Sequence, residues 1–233
     1  MSAKEIVPGL YVIPLGPVNT FLIDDGDELT LVDTGYPKSA EKIAAAVKSI
    51  GRQPADIRHI LVTHCHPDHA GSLAALKQIT GASAYMHPID AAVVRTGKVP
   101  PHLKPAPGLL KNMMFRAFIG FGAAEYEAAD IEREVNDGDE LAIAGGIRAI
   151  HVPGHCDGQL AFLWDKHGGV LFAADTASNM LGFGYSLGYA DLEEGKRSLA
   201  KVAVLDFEIA CFGHGKAIIP GASRRFRQKW ATA

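Results

Sequence analysis

The 233 residues, 48% hydrophobic and 21% charged with 25 Gly and 13 Pro, suit one soluble globular domain of α/β type, 1–233, long enough for a sizeable core. The net charge is −3 with His neutral and there is no Lys/Arg block, so neither nucleic acid nor an anionic membrane finds an electrostatic footprint. Cys65, Cys156 and Cys211 are too scattered for a disulfide framework, and the start Met1-Ser2-Ala3-Lys4-Glu5-Ile6 has no apolar signal core. No stretch approaches a membrane span, and the expected compartment is the cytoplasm.

The N-terminal third reads as a strand meander: Leu10 to Pro14, Thr20 to Ile23 and Leu29 to Val32, with Gly16-Pro17 and Asp24-Asp25-Gly26-Asp27 as turns. It ends in Asp33-Thr34-Gly35. Pro37 to Ile50 carries apolar residues at helical spacing (Ile43, Ala44, Val47, Ile50) and stops at Gly51.

The next strand, from Ile57 to Val62, runs into Thr63-His64-Cys65-His66-Pro67-Asp68-His69. Side chains at i and i+2 of an extended chain point the same way, so His64 and His66 can grip one ion together, with Cys65 pointing away. Pro67 turns the chain, and Asp68 and His69 open a helix, with body Ala70 to Ile79, facing another direction. One short loop thus offers two ligand pairs to two neighbouring ions. Capping of that helix by Asp68 is the plainer reading of the carboxylate, but it leaves three histidines at this spacing unexplained.

A strand at Ser83 to Met86 and a turn or helix from His87-Pro88 follow. Residues 98–124 break the rhythm with Pro100, Pro101, Pro105 and Pro107, then an apolar run containing Leu109, Met113, Met114 and Phe118. This is either a core helix with a proline-rich entry or an apolar lid or pocket wall suited to varied apolar groups. An exposed face on 109–121 is also compatible with a homodimer.

Strands return at Glu132–Val135, Leu141–Ile143, Ile147–Val152, Leu160–Trp164 and Val170–Ala173, then a helix from Leu192 to Val202, a strand from Phe207 to Phe212 and a basic helix from Pro220 to Trp230. Strands then helices, twice over, suggest two sheets packed face to face with helices outside. Three strand ends carry further ligand candidates: His155 after a Pro-Gly turn, Asp175 closing a buried apolar run where a carboxylate needs a partner, and His214 between glycines. His59, His87, His102, His151 and His167 share no ligand spacing and read as structural or surface residues, with His151 close enough in sequence to sit behind a ligand.

Taken together, His64-Cys65-His66-Pro67-Asp68-His69, Leu31-Val32-Asp33-Thr34-Gly35, Pro153-Gly154-His155, Asp175 and Gly213-His214-Gly215 resemble, in order, the motifs of the metallo-β-lactamase superfamily. The resemblance implies an αββα four-layer sandwich. It also implies two divalent ions, Zn(II) with Mn(II) or Fe(II) as substitutes, one held by His64, His66 and His155, the other by Asp68, His69 and His214, with Asp175 bridging. Asp33 would orient a ligand histidine. The implied chemistry is hydrolysis by a water shared between the ions, with Asp68 also taking up a proton.

Within the superfamily, Asp175 stands where many β-lactamases carry Cys or Ser, and only Lys216 to Ala233 follow the Gly213-His214-Gly215 turn, which argues against the glutathione thioester specificity of the glyoxalase II kind. The expectation is therefore cleavage of a lactone or carboxylic ester, such as an acyl-homoserine lactone, of a small-molecule substrate. Thioester hydrolysis of glyoxalase II type, β-lactam hydrolysis and a mononuclear iron sulfur dioxygenase are the alternatives. Lactonases place a Tyr after the bridging Asp; here Thr176-Ala177-Ser178 occupy that place, and Tyr185 or Tyr189 could supply the donor or simply pack on the sheet. Met113, Met114 and Phe118 would then face an acyl chain.

Overall fold

The computed structural model describes residues 2–119 and 124–231, excluding the side chain of Phe118. β1 (Lys4–Val7), β2 (Leu10–Pro14), β3 (Asn19–Asp24) and β4 (Leu29–Val32) pair antiparallel in succession. α1 (Ala40–Ser49) returns the chain to β5 (Ile57–Leu61), parallel to β4. The strand β1 went unread in the sequence because Lys4 and Glu5 are exposed, so it has no apolar run.

After the histidine cluster the chain forms two helices, α2 (Pro67–Ala70) and α3 (Leu73–Thr80), where the periodicity suggests one. Between them the Ser72 hydroxyl donates to the Tyr36 carbonyl (2.6 Å) and accepts from the Ser39 N–H (2.8 Å). Such a local competitor for backbone partners favours a break. His66 holds the cap position of α2, and Asp68 makes no capping bond. Capping therefore does not account for the carboxylate.

β6 (Ser83–Met86) pairs parallel to β5, and α4 (Pro88–Val94) follows. Residues 98–124 hold β7 (Lys98–Val99), β8 (Lys104–Pro105), α5 (Leu109–Phe118) and the start of β9 (Ala124–Glu125), the last pairing with β7. β10 (Arg133–Glu134) completes a seven-stranded sheet beside β6. β11 (Glu140–Leu141), β12 (Ile147–His151), β13 (Leu160–Trp164) and β14 (Val170–Phe172) make most of a second sheet of five strands. β15 (Gly188–Tyr189) pairs with β8, and α6 (Leu192–Ala203) carries the chain to β16 (Ile209–Cys211), parallel to β14 and followed by α7 (Ala222–Trp230).

Strand alternation distributes these apolar runs over three layers. Phe21, Val32 and Leu61 of the first sheet meet Phe162, Trp164 and Phe172 of the second in the middle. Their neighbours Leu22, Leu31 and Ile60 face outward onto Ile43, Val47, Leu73 and Leu76 of α1 and α3. On the other side Ala161, Leu171 and Ala210 face Leu199, Val202, Phe226 and Trp230 of α6 and α7. The result is an αββα four-layer sandwich, with each large core side chain contributing about 1.5–3 kcal/mol through burial.

Candidate metal centre

Strand ends from both sheets meet at one rim. Asp33 follows β4, the 63–69 loop follows β5, His155 lies in the turn after β12, Asp175 follows β14 and His214 follows β16. Donor atoms of His64, His66 and His155 lie within 4.8 Å of one another, as do those of Asp68, His69 and His214. A third group, His64, His69 and Asp175, overlaps both, which places the Asp175 carboxylate between them. Gly213 lets this happen: a Cβ there would stand 2.6 Å from His69 Cε1 and 2.7 Å from Asp175 Oδ1. Asp33 and Ala174 adopt positive φ (63° and 48°), conformations costly for residues with a Cβ and typical of backbone held in place for a site.

The hydrogen-bond network assigns the tautomers. Asp33 accepts from the Thr63 N–H (2.8 Å), the Thr63 hydroxyl (2.9 Å) and His69 Nδ1 (2.7 Å). The Thr63 oxygen, its proton committed to Asp33, accepts from His64 Nδ1 at 3.0 Å. His155 Nδ1 donates to the Gly188 carbonyl (2.7 Å) and His214 Nδ1 to that of Pro17 (2.8 Å). In its neutral form each of these four rings carries an Nε2 lone pair directed into the site.

His66 is the exception. His102 Nδ1 donates to the Pro100 carbonyl (2.7 Å), so its Nε2 accepts from His66 Nε2 at 3.1 Å, with the two rings stacked. The lone pair of His66 is then on Nδ1, only 2.8 Å from His155 Nε2. Two lone pairs this close repel unless a cation lies between them. Buried His64 Nε2, His69 Nε2 and Asp175 Oδ1 have no hydrogen-bond partner in the protein. A buried polar atom without a partner is expensive, and divalent ions at the two neighbouring donor sets would satisfy all three, so the donors fit a metal pair.

The electrostatics divide the histidines into two groups. Burial, then the neighbouring imidazoles, hold His64 and His66 well below the usual histidine range, in the neutral form that metal binding requires. Burial also lowers His155, against the pull of Asp175. At His69 burial is outweighed by Asp33 and Asp68, and its pKa rises to about 9. At His214 burial is outweighed by Asp175 and Asp68, which lie 3.4 and 3.2 Å from its Nε2. Asp175 and Asp68 are held below the usual carboxylate range by these same imidazoles in spite of burial.

The centre forms the floor of a cavity of about 800 Å³. Val99, Pro100, Leu103, Met114 and Ile119 of the 98–124 segment wall one side, and Met180 and Leu187 also line it. Met114 thus faces the cavity, whereas Met113 is 61% exposed and outside it, and the Phe118 side chain lies outside the described residues. Neither Tyr185 nor Tyr189 lines it. Tyr189 is buried, its hydroxyl donating to the Thr176 carbonyl and accepting from the Ser186 N–H. Tyr185 packs on the layer under α6 and α7, near Trp230.

The tyrosine in the cavity is Tyr36, directly after the Asp33-Thr34-Gly35 strand end. His102 also lines it, although its spacing marked it as a surface residue; its contact with His66 spans 36 residues and leaves no local signal. His151 stacks on His87 and bonds the Asp157 carbonyl, away from the ligands.

The family model of the metallo-beta-lactamase superfamily matches residues 13–214, and the chain belongs to that superfamily of metal-dependent hydrolases. It is 31% identical over 161 residues to the uncharacterised protein YobT of Bacillus subtilis, covering 69% of this chain and 62% of the relative. It is 26% identical to an atrochrysone carboxyl ACP thioesterase of Aspergillus fumigatus, over 91% of this chain and 54% of that protein. The chain thus spans less than two thirds of each of these two relatives. A solved metallo-beta-lactamase from Cronobacter sakazakii superposes with a TM-score of 0.73 at 21% identity, covering 100% of this chain and 86% of the other, which supports the fold. Among the described residues no helix is long and apolar enough to cross a membrane.

Proposed function

We propose that this chain is a dinuclear hydrolase that cleaves the lactone or carboxylic ester of a small molecule with an apolar acyl part. The observation that carries this reading is the juxtaposition of two His/Asp donor sets with an apolar cavity of about 800 Å³ above them. Nitrogen and carboxylate donors suit Zn(II), with Mn(II) or Fe(II) as substitutes. Ions held by His64, His66 and His155 and by Asp68, His69 and His214, with Asp175 between, would supply an activated water and polarise the scissile carbonyl.

The remaining work falls to the chain. The apolar wall from Val99 to Ile119 excludes water and holds the acyl part against the centre. Ser186 donates to Asp175 Oδ2 (3.2 Å) and keeps that carboxylate oriented. Asp68, beside His214, is placed to receive a proton and return it to the leaving oxygen. Burial, then Asp68, raises the Tyr36 pKa, so its phenol stays protonated and can donate to the substrate carbonyl. Tyr36→Phe is expected to lower kcat/KM about tenfold, the worth of one neutral hydrogen bond, with the fold intact. An unchanged kcat/KM would remove Tyr36 from substrate binding.

Thioester hydrolysis is the second reading, favoured by the similarity to the Aspergillus thioesterase. Metal analysis of freshly purified protein, paired with lactone, aryl ester, acyl thioester and β-lactam substrates, separates the two. We expect about two ions per chain and a preference for the lactone or ester. A thioester preference favours the second reading, and a single iron without hydrolysis overturns both.

A further inference from the structure

Asp90 is a buried carboxylate with no part in the proposed reaction. It sits in the first turn of α4, only 2% exposed. Its Oδ2 accepts from the Cys65 N–H (2.8 Å) and the Cys156 thiol (3.2 Å), and its Oδ1 accepts from the Gly158 N–H (2.9 Å). Cys65 lies between His64 and His66 in the first sheet's loop, and Cys156 follows His155 in the second sheet's. One side chain therefore joins the two loops that supply a single donor set.

Two further contacts make this a built arrangement. The other side of the Cys65 residue is held as well, its carbonyl accepting the Tyr126 hydroxyl at 2.6 Å. Gly158 must lack a side chain, because a Cβ would stand 2.3 Å from Asp90 Oδ1. A carboxylate this deep costs free energy that its donors only offset, and an apolar residue would fill the volume more cheaply. What an apolar residue could not do is set the mutual position of the two loops.

We infer that Asp90 is a positioning residue for the His64/His66/His155 donor set, assisted by Tyr126. The inference rests on the metal-centre reading above. Asp90→Asn keeps the shape but replaces one acceptor by a donor facing an N–H or S–H. The imidazoles would then lose their preset spacing, and metal affinity would fall at that donor set alone.

The test measures Zn(II) affinity by chelator competition in two backgrounds. His214→Ala leaves the His64/His66/His155 set, and His155→Ala leaves Asp68, His69 and His214. Asp90→Asn is expected to weaken Zn(II) about 10–100-fold in the first background and under about twofold in the second. Equal losses in both, as general loosening would give, or no loss in either, overturn the inference. Should Asp90→Asn fail to fold, Tyr126→Phe, which removes one hydroxyl, is expected to show the same selectivity at about two- to tenfold. No selectivity there overturns it too. If neither background binds Zn(II) with Asp90 in place while the parent chain binds about two ions, the division into two sets fails, and the inference with it. If the parent binds none, the metal reading itself falls.

Discussion

Asp175→Ala is expected to abolish hydrolysis, lowering kcat/KM by about three orders of magnitude or more, while circular dichroism stays native. Among the described residues Asp175 is the one carboxylate whose oxygens reach both donor sets: Oδ1 is 3.8 Å from His69 Nε2, and Oδ2 is 3.6 Å from His155 Nε2 and 3.4 Å from His214 Nε2. Charge stabilisation by a metal centre is worth several kcal/mol, and each 1.4 kcal/mol is tenfold in rate. The fold survives because the three apolar layers do not involve this side chain. An Asp175→Ala protein that retained more than about a tenth of its activity would sink the bridging role. His64→Ala, which takes a donor from two of the three groups, is expected to behave alike.

Removing metal with a chelator is expected to stop turnover and lower Tm by about 10 °C, both restored by Zn(II). At a free ion concentration of about a thousand times Kd, binding stabilises by about 4 kcal/mol, and a chain of this size moves about 2–4 °C per kcal/mol. The pH dependence is more diagnostic. In the metal-free protein His69 and His214 have raised pKa values, that of His69 at about 9 against the ordinary 6.5. A raised histidine stabilises fully below its unfolded pKa, and that contribution is lost as pH rises through the folded value. The chelated protein should therefore lose Tm between about pH 7 and 10.

On the acid side the signs reverse. Asp68 and Asp175, with lowered pKa values, lose their contribution as pH falls below the ordinary carboxylate range, and neutral His64, His66 and His155 oppose folding below about 6.5. Metal bound at this donor set would take the Nε2 lone pairs of His69 and His214 in place of protons, so the loaded protein is expected to lack the alkaline loss. Melting curves of loaded and chelated protein from pH 6 to 10 should diverge steadily. Parallel curves would exclude His69 and His214 as ligands.

Much of this architecture is legible in local sequence. Leu29–Val32, Ser83–Met86 and Leu160–Trp164 are strands with the bounds the sequence suggests: the first and last are buried on both faces almost throughout and are largely apolar, while Ser83–Met86 alternates between buried and half-buried residues. The 64–69 loop is legible too: the i, i+2 geometry of an extended chain acts within a few residues and brings His64 and His66 together without help from elsewhere. His155, Asp175 and His214 are each weak signals, but strand ends of a sandwich converge on a rim, and these three do.

Where the tertiary structure decides, contacts cross long stretches of chain or depend on how the sheets pack. Tyr36, Tyr185 and Tyr189 are equivalent as letters; packing buries Tyr189, lays Tyr185 near Trp230 and leaves Tyr36 in the cavity. The contacts of His102 with His66, Asp90 with Cys156 and Tyr126 with Cys65 span 36, 66 and 61 residues. Periodicity and turn chemistry extend over one element, so they determine the strands, the layers and the ligand loops of this protein. The partners that orient the ligands are chosen by the register of two sheets and the path of the 98–124 segment, and these follow from packing over the whole chain.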